Sequence, residues 1–361
     1  MPLDHYITLG RSGLRVSPLC LGTMTFGEDW GWGSSEAESV SLLERYFALG
    51  GNFIDTANAY TFGHSEAILG SYLSASPAKR QQLVLATKFF GSMQVGNPNA
   101  GGAGRKSIVW ACEESLRRLR TDYIDLYWMH CWDYHSPIEE TMRALDDLVR
   151  TGKVRYIGFS DTPAWKTAQA QVLAHFRGWT PLIGLQIEYS LLERSVEGEL
   201  IPMALELGLG ILPWSPLKSG ILSGKYRRSD QGKVAAGRGD RVDSALNARA
   251  YEVIELLVQI AADIGSTAAR VALSWLRTRV GVASTIIGAR TAEQLEENLG
   301  SLSVSLDSPQ LDRLSQLTEP QLNFPAAFLK RSRVYRNPGL VINGELAGTD
   351  PVVAGQSRES Y

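Results

Sequence analysis

The chain has 361 residues, 44% of them hydrophobic and 20% charged, with a formal net charge of −2. That balance supports a substantial packed core and argues against a strongly basic nucleic-acid binder. No apolar run reaches membrane-spanning length and no charged-then-apolar leader opens the chain; the three widely spaced cysteines, Cys20, Cys112 and Cys131, fit a reducing, cytoplasmic setting better than a disulfide framework.

Taken in chain order, YITLGRSGLRVS (6–17) predicts a hairpin. Eight β-rich runs follow: PLCLGTMTF (18–26), NFIDTA (52–57), LVLATKF (83–89), YIDLYWMH (123–130), VRYIGFS (154–160), LIGLQIEY (182–189), GILPWSP (210–216) and STIIGA (284–289). Between them lie stretches with apolar spacing near 3.6, such as 138–153 and 292–302, and Gly or Pro marks most joins. Strand–helix alternation implies parallel strands with crossover helices. Eight units predict an α/β fold, a (β/α)8 TIM barrel with an N-terminal β-hairpin and long loops at its C-terminal face, spanning residues 1–320. A doubly wound sheet binding a dinucleotide would carry G-x-G-x-x-G after its first strand, and none stands there. The two long loops are 91–105 and the polar, glycine-rich 217–244; both follow strands, at the face where barrels place their active sites. The tail 321–361 has weak periodicity and receives no structural assignment.

The polar groups at the strand ends would converge on one mouth. They are Asp55, Lys88, His130, Ser160 with Asp161, Gln186 with Glu188, Trp214 with Ser215, and Gly288 with Arg290. Parity supports this. Phe53 and Asp55 share a face, as do Val84, Ala86 and Lys88, and likewise Ile124, Leu126, Trp128 and His130. Each polar terminus thus continues an apolar row. Asp55 and Lys88, half-buried, would offset each other's desolvation. Tyr60, five residues past Asp55, is a candidate acid. A phenol has a reference pKa of about 10, and lowering it by two units needs about 2.7 kcal/mol. A cation ~4 Å away supplies about 4 kcal/mol at an effective dielectric near 20. Lys88 is therefore expected to lower Tyr60, Asp55 to keep Lys88 charged, and neutral His130 to hydrogen-bond the same substrate oxygen. Such a site would polarise a carbonyl and deliver a proton, and the matching hydride must come from a cofactor. Ser160, Asp161 and Gln186 suit an amide, and Trp214 suits a flat ring. Gly288, Arg290 and the following helix N-terminus suit phosphate, with Arg290 favouring a 2′-phosphate.

These residues resemble the aldo-keto reductases over roughly residues 6–318. NFIDTANAY is similar to that family's Asp-and-Tyr motif, ATKF to its lysine segment and IDLYWMH to its histidine strand. The resemblance implies a catalytic tetrad of Asp55, Tyr60, Lys88 and His130, with Tyr60 the proton donor. PWSPLKSGILSGKY and IIGARTAEQLEENL resemble its cofactor segments, which implies NADP(H) lying extended across the mouth. Gln186 and Ser160 would then hold the carboxamide and Trp214 would stack on the nicotinamide. Arg290, Gln294 and Asn298 would sit near the adenosine end, with Thr23, Met24, Ser215, Pro216, Leu217 and Lys225 also along the cofactor. MHCWDYHSPIEE and GFSDTPAW are similar to the aryl-alcohol dehydrogenase-like branch. The commoner family form has Asn where this chain has Asp161, and an ionised acid accepts but does not donate. The implied activity is reversible, NADP-dependent reduction of an aldehyde or ketone. The implied partner is a small carbonyl or alcohol, with neither nucleic acid nor membrane; an oligomer is left open.

Phe26, Trp30 and Trp32 either line a substrate pocket or pack a lid, and Trp132 is expected to line the pocket. His64, His135 and His175 read as surface residues. Three rivals frame the reading. A glycosidase would pair Asp55 with Glu188. A metallohydrolase would use His130, Cys131, Asp133 and His135, although consecutive strand residues diverge and the expectation is no metal. An NADPH-binding regulatory or sensor subunit would keep the same tetrad with little turnover.

Overall fold

The structure, a computed structural model, describes residues 1–228, 242, 245–346 and 348. The chain enters through a short antiparallel pair, β1 (Ile7–Thr8) with β2 (Arg15–Val16). Eight parallel strands follow: β3 (Leu19–Gly22), β4 (Phe53–Asp55), β5 (Val84–Phe89), β6 (Ile124–Met129), β7 (Val154–Ser160), β8 (Leu182–Glu188), β9 (Gly210–Trp214) and β10 (Thr285–Gly288). Their order in the sheet is β10-β3-β4-β5-β6-β7-β8-β9. Between β9 and β10, Ile211 N donates to Gly281 O (2.9 Å) and Ala283 N donates to Ile211 O (3.0 Å), so the ring is nearly closed. This is the expected (β/α)8 TIM barrel with its N-terminal hairpin.

The helices wrap this ring: α1 (Glu36–Ala48), α2 (His64–Ser74), α3 (Pro77–Gln82), α4 (Arg105–Leu119), α5 (Ile138–Arg150), α6 (Ala164–Arg177), α7 (Leu200–Leu207), α8 (Ala248–Asp263), α9 (Ala268–Arg277), α10 (Ala292–Leu299) and α11 (Ser308–Leu317). Local chemistry sets their ends. Ser35 and Glu38 form a capping box at the start of α1. Thr291 caps α10 by accepting from Gln294 N. In α5, Ile138, Met142, Leu145 and Leu148 recur at three- and four-residue spacing and are all buried. That helix stops at Arg150, short of the expected 153, where Gly152 takes a left-handed turn.

The interior of the barrel is a separate core. Cys20, Phe53, Val84, Ala86, Leu126, Trp128, Leu212 and Ile286 meet there with Leu9 and Val16 of the hairpin region. The hairpin therefore plugs the N-terminal end. Gly10 allows it: with φ +57, any Cβ at Gly10 would lie 2.2 Å from the Ile183 carbonyl oxygen. Two larger clusters fill the space between strands and helices.

Several strands end earlier at the mouth than their apolar runs suggested. The first stops at Gly22, since Phe26 N turns back to Thr23 O (3.0 Å). The seventh stops at Trp214, before Ser215 adopts φ 53. Of the long loop 217–244, residues 217–228 and 242 are described and the rest lies outside the described residues. Its first part is anchored, because Ile221, Tyr226 and Val242 pack against Ile254 of α8. The tail holds a helix, α12 (Ala326–Arg336), and a hairpin of β11 (Val341–Ile342) with β12 (Glu345–Leu346). These elements were not legible in sequence: Phe328, Leu329, Leu340 and Val341 all face solvent, so no buried stripe marks them.

Candidate active site

Four strand ends build the centre. Register places Asp55 beside Ala86, Lys88 beside Trp128, and Ser160 beside Gln186. Lys88 is fully buried and Asp55 is 2% exposed. The Lys88 ammonium donates to Asp55 Oδ2, to Thr56 O (2.8 Å) and to Tyr60 OH (3.0 Å). Asp55 Oδ1 accepts from Gln186 Nε2 at 3.0 Å. The Tyr60 and His130 rings stand edge to face, 5.9 Å between centroids. The predicted tetrad is thus one contiguous cluster.

Tyr60 reaches the mouth on a strained loop. Thr61 and Phe62 have left-handed φ of 45 and 56. The Thr61 hydroxyl secures the loop by donating to Phe26 O (2.8 Å) and accepting from Ser65 N (3.0 Å). Among the described non-glycine residues with such φ, Phe90, Asp161, Ser215, Lys218 and Ser219 also follow barrel strands. Strain is concentrated at the functional face.

The electrostatics follow from burial and one ammonium. Burial alone would lower Lys88, but Asp55 and then Tyr60 outweigh it and hold the amine above its ordinary range. Burial pushes His130 down to about 3, with the positive Lys88 adding to the effect, so its imidazole is neutral near pH 7. Tyr60 departs from the sequence expectation. Burial raises the phenol, and the opposing pull of Lys88 does not overcome it. The resting site therefore holds a protonated phenol beside a fixed cation, rather than a pre-acidified one.

The expected cofactor residues divide into two groups. Some carry unspent groups: Ser160 Oγ is buried without a hydrogen-bond partner among the described residues. Arg290 makes no side-chain hydrogen bond or ion pair among them, and beside Gly288 a Cβ would meet nothing within 4 Å. Lys225 is exposed and Met24 half-buried. Others are supports. The Thr23 hydroxyl lies on Asp55 O (3.3 Å) and Ser65 Oγ (2.9 Å). Gln294 Oε1 accepts from Arg290 N (2.9 Å), and Asn298 Nδ2 donates to Gly288 O (3.0 Å), so both shape the turn before α10. The Gln186 amide nitrogen is committed to Asp55, which leaves its oxygen for a ligand. Trp214 Nε1 donates to Asp161 Oδ1 at 3.0 Å and fixes the indole plane. Asp161 keeps an exposed edge at the mouth, and partial desolvation of its carboxyl, with nearby Glu188 adding to it, pushes it up to about 6. Pro216 is buried, while Ser215 and Leu217 are half-buried in the strained turn after β9. An orphaned hydroxyl, an indole held flat and a free guanidinium at a helix start fit a nicotinamide dinucleotide.

The substrate-side expectations are revised in one place. Phe26 is fully buried in the outer core, so it supports the mouth and lines no pocket. Trp30 and Trp32 are half-buried, 5.6 Å apart, and Trp30 meets exposed Phe62 edge-on at 6.4 Å. Trp132 is 8% exposed, under Tyr134 and Lys166. His64, His135 and His175 are exposed as expected, with His64 paired to Asp29. The glycosidase and metallohydrolase rivals lose their residues. Asp55 is enclosed by Lys88 and Gln186, and Glu188 is paired with Lys218 (2.6 Å), so no two carboxylates face a sugar. Asp133 accepts from Ala103 N, His135 N and Ser136 Oγ, and among the described residues no metal-binding cluster forms. Sequence reasoning missed buried Glu66. It accepts from Thr87 Oγ1 (2.6 Å) and Arg118 Nε (2.7 Å), tying α2 to β5 behind the tetrad.

The aldo/keto reductase family profile matches residues 18–319. The chain belongs to the aldo/keto reductase family. It is 38% identical to the norsolorinic acid reductase stcV of Emericella nidulans, covering 91% of this chain and 85% of that relative. It is 35% identical to an aryl-alcohol dehydrogenase [NADP(+)] of Phanerodontia chrysosporium, over 87% and 85% of the two chains. The oxidoreductase YrpG of Bacillus subtilis, of uncharacterised function, is 37% identical over 87% and 95%. This aldo/keto reductase is therefore an oxidoreductase of the aryl-alcohol dehydrogenase-like branch, a family that uses nicotinamide cofactors on small carbonyl substrates.

Proposed function

We propose that the protein reversibly reduces an aldehyde or ketone to its alcohol with NADPH, Tyr60 supplying the proton. One observation carries the reading: the Tyr60 hydroxyl stands 3.0 Å from a buried, charge-fixed Lys88 and against the neutral ring of His130. NADPH, when bound, supplies the hydride. The chain's own residues manage the proton. A raised phenol stays protonated, so the acid is loaded. As the proton leaves Tyr60 Oη, Lys88 stabilises the phenolate that remains, and Asp55 keeps Lys88 cationic. His130, neutral, donates a hydrogen bond to the carbonyl oxygen without competing as an acid. Ser160 Oγ and Gln186 Oε1 are the groups left to orient a carboxamide. Arg290, unpaired beside the start of α10, supports preference for the 2′-phosphate form. We also infer a cytoplasmic setting, which the three free thiols suit.

Tyr60→Phe tests the assignment. The variant should bind NADPH as the wild type does and lose nearly all aldehyde reduction. Wild-type turnover in Tyr60→Phe would remove Tyr60 as the acid. Tight NADPH binding by the wild type with no reduction across a panel of aryl and alkyl aldehydes would favour a sensor instead.

A further inference from the structure

The charges around the tetrad leave one remainder. Lys88 is paired with buried Asp55, and Lys218 with Glu188 at 2.6 Å. The Tyr60 phenol and the His130 imidazole are neutral near pH 7. Asp161, the residue after Ser160 at the end of β7, forms no ion pair among the described residues. Its Oδ1 accepts from Trp214 Nε1 (3.0 Å), and no donor among those residues reaches its Oδ2. The backbone fixes its place. Asp161 N donates to Gln186 O (3.1 Å), and Asp161 O accepts from Trp132 N (3.4 Å). The carboxylate therefore runs from β7 past β8 to the indole at the end of β9, with an edge open at the mouth. A neutral amide oxygen would hold that indole equally well, so the packing does not call for the charge.

The reaction brings a nicotinamide to this rim. In carbonyl reduction the hydride of NADPH goes to the carbonyl carbon and the Tyr60 proton to the oxygen bonded to it, leaving NADP+ and an alcohol. The hydride donor and Tyr60 therefore approach one bond, each at about 3–3.5 Å from its atom. The unspent Ser160 Oγ and Gln186 Oε1 face the same opening, and Asp161 is bonded to the backbone of both residues. NADP+ and NADPH carry identical phosphates and sugars. They differ only in the nicotinamide, which is cationic in NADP+ and neutral in NADPH. An unpaired carboxylate at this rim is placed to tell the two apart.

We propose that Asp161 makes the site selective for the oxidised cofactor: its unpaired carboxylate stabilises the cationic nicotinamide of NADP+ and gives no such gain with the neutral ring of NADPH. The proposal rests on the reading of the protein as an NADP-dependent reductase. Compared with a neutral residue at 161, Asp161 makes the bound couple a stronger reductant. It draws the bound reactants toward alcohol and NADP+ and slows the release of NADP+. The carboxylate keeps a wet edge, so the gain is that of a partly screened charge pair, a factor of about three to ten.

Equilibrium binding tests this without turnover. Asp161→Asn removes the charge and keeps an oxygen for Trp214 Nε1. NADP+ and NADPH are each titrated by calorimetry into the wild type and into Asp161→Asn at pH 8, where the wild-type carboxyl is ionised. The ratio of the NADP+ Kd to the NADPH Kd cancels every contact to phosphate or sugar, that of Arg290 included. It also cancels any hydrogen bond that Asn makes equally to both forms. That ratio should rise about threefold to tenfold in Asp161→Asn, chiefly through weaker NADP+. At 29.6 mV per decade this raises the potential of the bound couple by roughly 14–30 mV. An unchanged ratio, with both forms still bound, would overturn the proposal and leave the reductase reading standing. A wild type that binds neither form would remove the reductase reading, and this proposal with it.

Discussion

Lys88→Met removes the ammonium and nearly preserves the length of the side chain. In the wild type that ammonium is fully buried and stands 3.0 Å from the Tyr60 oxygen. A full negative charge there is stabilised by about 5 kcal/mol at an effective dielectric near 20. A transition state with half the proton transferred draws on about half of this, roughly 2.5 kcal/mol. At about 1.4 kcal/mol per decade, kcat for aldehyde reduction should fall between about 10²-fold and 10⁴-fold. NADPH affinity should change by no more than about threefold, because Lys88 is spent on Asp55, Thr56 and Tyr60 below the mouth. Single-turnover reduction at saturating NADPH isolates the chemical step, and a cycle with Tyr60→Phe isolates the pair. If Lys88 acts through Tyr60, the double variant should be hardly slower than Tyr60→Phe alone. A loss under about threefold in Lys88→Met, or fully additive losses in the cycle, would refute the electrostatic role.

Arg290→Ala should weaken NADPH by about tenfold and NADH by less than about threefold, read by quenching of protein fluorescence, since a free guanidinium gains most from the extra phosphate; equal losses would count against a phosphate contact. Asp161 is pushed from 3.8 up to about 6 in the folded protein. Its proton therefore contributes stability that is complete below the unfolded value and is lost as pH rises through about 6. Asp161→Asn should gain in urea midpoint relative to wild type between pH 4 and about 6 and hold a constant margin above that. Parallel curves from pH 4 to 8 would show that Asp161 does not titrate in this window.

Much of this site could be read from sequence because barrel strands impose a period of two. Asp55, Lys88 and His130 each end an apolar row, so their convergence needed only the fold. What failed depends on neighbours that are distant in sequence. The sign of the Tyr60 shift turns on how fully the phenol is enclosed, which depends on loops from other strands. Phe26 looks like one more mouth aromatic, yet the turn from Thr23 sends it into the core. Gln186 carries no mark that its nitrogen is committed to Asp55. Trp128 fills the space left by Gly158 and Gly184, where a Cβ would lie 2.3 Å and 2.8 Å from its ring, and two glycines in separate strands signal nothing until register pairs them. In the turn before α10, Gln294 and Asn298 of the expected cofactor segment also brace Arg290 and Gly288 from within, a role that spacing alone did not show.

The Asp55–Lys88 pair also separates what the fold requires from what the reaction requires. Breaking a buried pair by removing one partner leaves an uncompensated charge and costs about 3–5 kcal/mol, whereas removing both charges with the volume kept is often close to neutral. Lys88→Met strands the carboxylate, and Asp55→Asn strands the ammonium. The combination of the two leaves neither, and Asn still accepts the hydrogen bond that Gln186 donates to this position. Denaturant unfolding should show each single variant destabilised by about 3 kcal/mol or more and the double variant within about 1 kcal/mol of wild type. Aldehyde reduction should nevertheless stay as low in the double variant as in Lys88→Met, since no cation faces Tyr60 in either. A double variant destabilised by the sum of the two singles would mean that the pair braces the barrel. Recovery of activity together with stability would mean that the cation contributes to the reaction only by holding the structure.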